Sequence, residues 1–136
     1  MRKRLQAARL RDERGATVVE FAFVVPLLIV LVLGIAEFGH AFQVQGTLSA
    51  AAREGVRVMA LQNDPAAARA AVRGAAPSLN PTVADAQIAI TPAACPTTGA
   101  TNQTVRLTVT YPMPFLTHFF GSGVDLHGTG VMRCNG

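Results

Sequence analysis

Apolar residues run without a formal charge from Phe21 to Ala36, and Ala16 to Val19 extend the run to 21 positions interrupted by Glu20 alone. About 20 helical residues are needed to cross a bilayer, so this pattern predicts a transmembrane segment over about 18–37. Beyond it the period changes rather than stopping. Phe38, Ala41, Leu48, Ala52, Val56 and Met59 fall on one stripe of a helical wheel, with His40, Gln43, Thr47, Glu54 and Arg57 opposite. Ala50, Ala51 and Ala52 favour the helix, and Glu54 with Arg57 adds an i,i+3 attraction. One helix over 16–61 is expected, roughly 65 Å long at about 1.5 Å per residue. Its first half faces lipid or other helices and its second half covers a domain.

Gln62-Asn63-Asp64-Pro65 reads as a break and restart, with Asp64 as N-cap and Pro65 at the first helical position. A short alanine-rich helix then runs to about Arg73, closed by Gly74 and Pro77, and the stretch Pro77 to Thr82 is a loop. Ile88 and Ile90 mark a short alternating segment. Val105, Leu107, Val109 and Tyr111 alternate strictly with Arg106, Thr108 and Thr110, the clearest strand signal in the chain. Val124 to Cys134 is a third candidate, weakened by Gly128 and Gly130 and read as a terminal or bulged strand. The expected class is α+β, a long N-terminal helix packed on an antiparallel sheet of about three strands. The chain is thus divided into a leader over 1–15, the long helix over 16–61, and a small α+β domain over 62–136.

With 136 residues there is room for one small domain besides the apolar helix. The apolar share of 50% against 15% charged residues points toward a membrane. The formal charge of +4 is confined to one end: Arg2, Lys3, Arg4, Arg9, Arg11 and Arg14 stand against Asp12 and Glu13, whereas six arginines and six acids cancel over 16–136. No basic face remains to displace counterions from DNA, so nucleic acid is not an expected partner. A basic flank before an apolar span instead holds the N-terminus in the cytoplasm and sends the chain beyond Ala36 across the membrane.

On the far side, Cys95 and Cys134 fit a disulfide better than a metal site, because zinc needs about four ligands in close pairs and His40, His118 and His127 are scattered. The bond would tie a Pro-rich loop over 91–99 to the C-terminus, worth roughly 3 to 4 kcal/mol by loop entropy. No Gly-x-Ser-x-Gly, His-Glu-x-x-His or phosphate-binding loop surrounds Ser49, Ser78 or Ser122, so no catalytic residue, cofactor, metal or small-molecule substrate is implied. Pro26 withholds a backbone hydrogen bond from the Ala22 carbonyl, which predicts a bend or loosening there; membrane helices also tolerate proline without a special role. The segment 112–121 carries Met113, Phe115, Leu116, Phe119 and Phe120 between and after two prolines. Two readings fit it: a flap that completes the core of a small sheet, which the need for cover favours, or a contact with the outer leaflet or another protein.

Arg14-Gly15-Ala16-Thr17-Val18-Val19-Glu20-Phe21-Ala22, Pro26-Leu27-Leu28, Gly34-Ile35-Ala36-Glu37-Phe38-Gly39 and Ala51-Ala52-Arg53-Glu54-Gly55-Val56-Arg57, in this order and spacing over 14–57, resemble the TadE-like family of tight-adherence pilus assembly proteins. The resemblance implies a pilin-like fold and a non-catalytic minor pseudopilin of the inner membrane. Its implied partners are a prepilin peptidase, other pilins and pseudopilins, the inner-membrane assembly platform and the bilayer. It also implies cleavage between Gly15 and Ala16, which would leave Glu20 as the fifth residue, with Glu20 and Phe21 at the subunit-assembly end. Glycine suits such a cut because a backbone without a side chain can approach a protease closely, although glycine also serves at a helix start. Phe21 stands where the major pilins of these systems usually carry tyrosine, and the exported part is longer than theirs. Two other arrangements remain: an uncleaved single-pass anchor with an exported interaction domain, and a secreted domain released after Ala41, where Gly39-His40-Ala41 has suitably small residues.

Overall fold

A computed structural model describes residues 2–96 and 102–134, with side chains from Gly15 onward. The leader's charges and the 97–99 part of the expected loop lie outside the described residues. The elements run α1 (Arg2–Gln62), α2 (Pro65–Ala75), β1 (Ile88–Thr91), β2 (Thr104–Pro114) and β3 (Gly123–Arg133), with single 3-10 turns at Asp85–Gln87 and His118–Phe120. The class is α+β with a three-stranded antiparallel sheet, as the periodicity predicts. The chain divides into two compact units, Met1–Phe38 and Gly39–Gly136.

Helix α1 begins well before the expected residue 16. Residues 2–14 contain only Arg, Lys, Leu, Gln, Ala, Asp and Glu, mostly strong helix formers with no β-branched residue, glycine or proline to stop the helix. It continues through Pro26. At its other end Asn63 takes a left-handed conformation (φ 52°), which asparagine tolerates, and its amide donates 2.9 Å to the Met59 carbonyl. The Asn63 side chain then brackets the backbone of Cys95: Nδ2 donates to its carbonyl (3.0 Å) and Oδ1 accepts from its N–H (2.6 Å). Cys95 in turn lies at disulfide distance from Cys134, with Cα atoms 5.6 Å apart and a sequence separation of 39. Closing a loop of that size is worth about 4 kcal/mol on the chain-entropy model.

Asp64 caps α2 as expected, its carboxylate accepting from the N–H groups of Ala66 and Ala67, with Pro65 in the first turn. The helix runs past Gly74, the expected stop, to Ala75. A side chain at Gly74 would meet nothing, and one exposed glycine costs a helix only about 1 kcal/mol, too little to end it. Arg73 pairs with Asp85, joining the end of α2 to the turn that leads into β1.

The sheet has the order β1-β2-β3. Ile88–Thr91 pairs with Arg106–Val109, and all of β2 pairs with β3, from Thr104 opposite Arg133 to Pro114 opposite Gly123, without a bulge. β2 is longer than its predicted 105–111 because the alternation continues through Met113. Pro112 and Pro114 are accommodated since they lie beyond the end of β1, where β2 has a free edge and no donor is needed on that side. Val105, Leu107, Val109, Tyr111 and Met113 are all buried on one face.

The α1 face packed in the core comprises Val44, Leu48, Ala51, Ala52, Val56, Met59 and Ala60. The predicted stripe is right from Leu48 onward, Ala41 packs at its margin, and Phe38 departs from it, being 68% exposed. Gly128 and Gly130 are where the helix meets β3. A Cβ on Gly130 would lie 2.6 Å from the Ala52 carbonyl oxygen and 2.8 Å from Val56 Cγ1, and one on Gly128 would collide with the Leu48 carbonyl. Of the terminal or bulged strand expected, β3 is the terminal strand at the sheet edge, but the bulge is corrected: these glycines are seats for the helix backbone in a regular strand.

Candidate functional site

The unit Met1–Phe38 presents a surface unlike that of a globular domain. From Val18 to Phe38 most of its large apolar side chains stand exposed around the whole circumference of the helix, including Phe21, Phe23, Leu27, Leu31 and Ile35, with Val25, Val30 and Leu33 half-buried. A helix apolar all round is at home in lipid or among other helices. The described helix is long and apolar enough to cross a membrane.

At the head of this surface stand the residues singled out from the sequence. Gly15 lies within α1 rather than at its start, and a side chain there would meet nothing within 4 Å, so local packing does not require glycine. The helix start is at Arg2, which removes the helix-start explanation of Gly15 within this conformation. A protease that reads an extended backbone would have to unwind the turn around Gly15, and glycine in mid-helix lowers that cost by about 1 kcal/mol relative to alanine. Ala16 and Glu20 are four residues apart on the same helix and therefore share a face, one turn from each other. Both are exposed, as are Phe21 and Pro26. The arrangement leaves the Glu20 carboxylate available to a cation on its own helix or on a neighbouring one.

Glu37 reads in the sequence as a charge ending the apolar run. It is instead 3% exposed and engaged in an interaction rather than free. Burying a carboxylate is costly unless it is paired, so its place is a structural commitment that periodicity does not reveal. Its position one residue before an aromatic at the end of an apolar run is the only local signal, and a membrane-boundary charge gives the same signal.

Residues 15–57 match the family model of the TadE-like proteins. The matched segment starts at Gly15, takes in the whole apolar run, and ends at Arg57 on the core-covering part of α1. No curated protein and no solved structure matches the chain. The TadE-like match supports involvement in a tight-adherence pilus, and the apolar helix fits a membrane anchor. Outside the TadE-like segment, the sequence expectation for 112–121 divides. Met113 is fully buried and Phe115 packs against the core, completing the sheet as the structural reading expects, whereas Leu116, Phe119 and Phe120 remain exposed.

Proposed function

We propose that this chain is a minor pseudopilin of a tight-adherence pilus. On this reading residues 18–37 span the bacterial inner membrane with the basic leader in the cytoplasm, and the α+β unit stands on the extracytoplasmic side. A prepilin peptidase cuts between Gly15 and Ala16, and the new amino group and Glu20 then guide docking against other pilins and the assembly platform, with Phe21 beside them and Pro26 adapting the helix to its bundle. The subunit helps build or present the pilus without catalysing a reaction.

The observation that carries this reading is the coincidence of three features at one point: the TadE-like match, the apolar exposed helix and the end of the basic leader all meet at Gly15. The disulfide-distance cysteine pair agrees with an oxidising compartment for the second unit. N-terminal sequencing of the protein purified from membranes of a cell that holds the matching peptidase tests it. The expected start is Ala16. Replacing Gly15 by leucine should leave an uncut, membrane-bound precursor. A start at Met1 in the unaltered protein would return it to an uncleaved anchor, and a start at Phe42 to a secreted domain.

A further inference from the structure

Among the described residues of Gly39–Gly136, seven large apolar side chains are exposed, and four of them, Leu116, Phe119, Phe120 and Val124, belong to the connection and strand start after β2. Phe42, Leu61 and Val131 are the others. Leu116 and Phe119 are 60% and 64% exposed, and the rings of Phe119 and Phe120 meet edge to face with centroids 5.3 Å apart. Phe115, packed against the core, roots the loop. From Pro112 to Val124 there is no Asp, Glu, Lys or Arg.

The place of this tip is set by how β3 lies along α1. Gly130 seats the backbone of Ala52, Gly128 seats that of Leu48, and Gln45 Nε2 donates to the His127 carbonyl at 2.6 Å. Two strand residues thus keep step with four helical ones, about 6.6 Å against about 6 Å, so helix and strand run side by side in the same direction. From Gly128 back to Gly123 the strand covers about 16 Å, and from Leu48 back to Gly39 the helix covers about 14 Å. The hairpin tip therefore stands at the end of the unit where the chain enters it, level with Gly39. Exposed Phe42 lies at the same end, one turn into the unit.

We infer that Leu116, Phe119 and Phe120 form a lipid-contact site that beds the α+β unit on the outer leaflet of the membrane its own helix has just crossed. The inference rests on the membrane reading of residues 18–37. Phenylalanine and leucine gain by entering the boundary between headgroups and acyl chains, a depth of about 5 to 10 Å. A stretch of 13 residues without a formal charge suits that medium, and a charged protein partner would find nothing there to pair with. Covalent continuity supplies the occupant: the bilayer ends close to the point where the unit begins, so lipid is the apolar phase nearest to the tip.

The chain has no tryptophan, so single-tryptophan variants report on one site each. F119W, V131W and L28W, each in the full chain, are reconstituted into phosphatidylethanolamine–phosphatidylglycerol vesicles whose lipids carry bromine at shallow or deep acyl positions. Retention of the Cys95–Cys134 bond checks that each variant is folded. The expected result is blue-shifted emission from F119W, quenched several-fold more by shallow bromines than that of V131W, while L28W is quenched best by deep ones. Emission from F119W as red and unquenched as that of V131W, with L28W still quenched, would overturn the lipid site and leave the membrane reading standing. Blue-shifted but unquenched emission from F119W would also overturn it, because a second copy of the chain would then be covering the tip. Loss of quenching in L28W would remove the membrane reading and the lipid site with it.

Discussion

A single hydroxyl reports on how tightly the second unit is closed. Tyr111 is the one tyrosine in the chain, buried in the β2 core row between Val109 and Met113, and its hydroxyl donates to the Pro81 carbonyl at 2.9 Å. Burial disfavours the phenolate and pushes the Tyr111 pKa above its ordinary value of 10.0. The unfolded chain therefore gives up this proton before the folded one does. Stability is fully present below about pH 10 and falls as pH rises from the ordinary tyrosine value through the raised one. Ultraviolet titration of tyrosinate in the full chain should show one transition displaced upward from that of free tyrosine, and returned to the ordinary value in denaturant. An unshifted transition would mean that water reaches the hydroxyl. Asn63 works at the same scale with two hydrogen bonds, ending α1 in a left-handed turn while holding Cys95 for its partner.

Between elements, the decisive contact is backbone against backbone. Leu48 and Ala52 of α1 rest on Gly128 and Gly130 of β3, and Gly55 of α1 gives the same room to Val72 and Leu107. Gly130→Ala would push a methyl group to 2.6 Å from the Ala52 carbonyl oxygen, and a backbone atom in a packed helix cannot swing aside as a side-chain end can. The expected cost is about 3 kcal/mol, the upper end for overpacking. Gly74→Ala on exposed α2, where the new methyl meets nothing, should stabilise by about 0.5–1 kcal/mol. Denaturant unfolding of the full chain in detergent compares the two, and equal effects would show that the helix does not sit so close. This contact also marks the limit of what the sequence discloses. β2 and the Asp64–Pro65 helix start are legible because alternation and capping are local properties. Gly128 and Gly130 weaken β3 by the same local standard, since the helix they accommodate is about 80 residues earlier in the chain. Gly74 misleads for the opposite reason, a local stop signal with nothing to enforce it. Of the candidate site, Gly15 to Pro26 stands out through residue order and the apolar run, whereas the burial of Glu37 is not signalled by any periodicity.

The whole molecule joins two units with opposite demands. Gly39–Gly136 closes its own core and cross-links it, whereas Met1–Phe38, among its described side chains, leaves most of the large apolar ones outward and needs lipid or other helices around it. Within that second environment Glu20 is the one charge in the apolar run before Glu37, and it shares a helix face with Ala16. On the proposed reading, cleavage after Gly15 creates an ammonium at Ala16. The attraction between an ammonium and a carboxylate is weak at a wetted membrane interface and strengthens as helices gather and exclude water. A buried carboxylate without a partner is strongly disfavoured, so a helix that enters a bundle with Glu20 must bring it opposite a cation, which fixes how far each helix advances past its neighbour. Glu20→Ala should therefore still insert, because removing a charge from an apolar span makes insertion easier. It should still be cut after Gly15 and still form the Cys95–Cys134 bond, since neither depends on this carboxylate. What should fail is its incorporation among other pilins, read as loss of cross-linking to them and of surface pili. Glu20→Asp, with the charge kept on a shorter stem, should recover part of that cross-linking. Normal piliation with Glu20→Ala would show that the carboxylate only marks the edge of the membrane, and failure of cleavage or of the disulfide would place its role before assembly rather than in it.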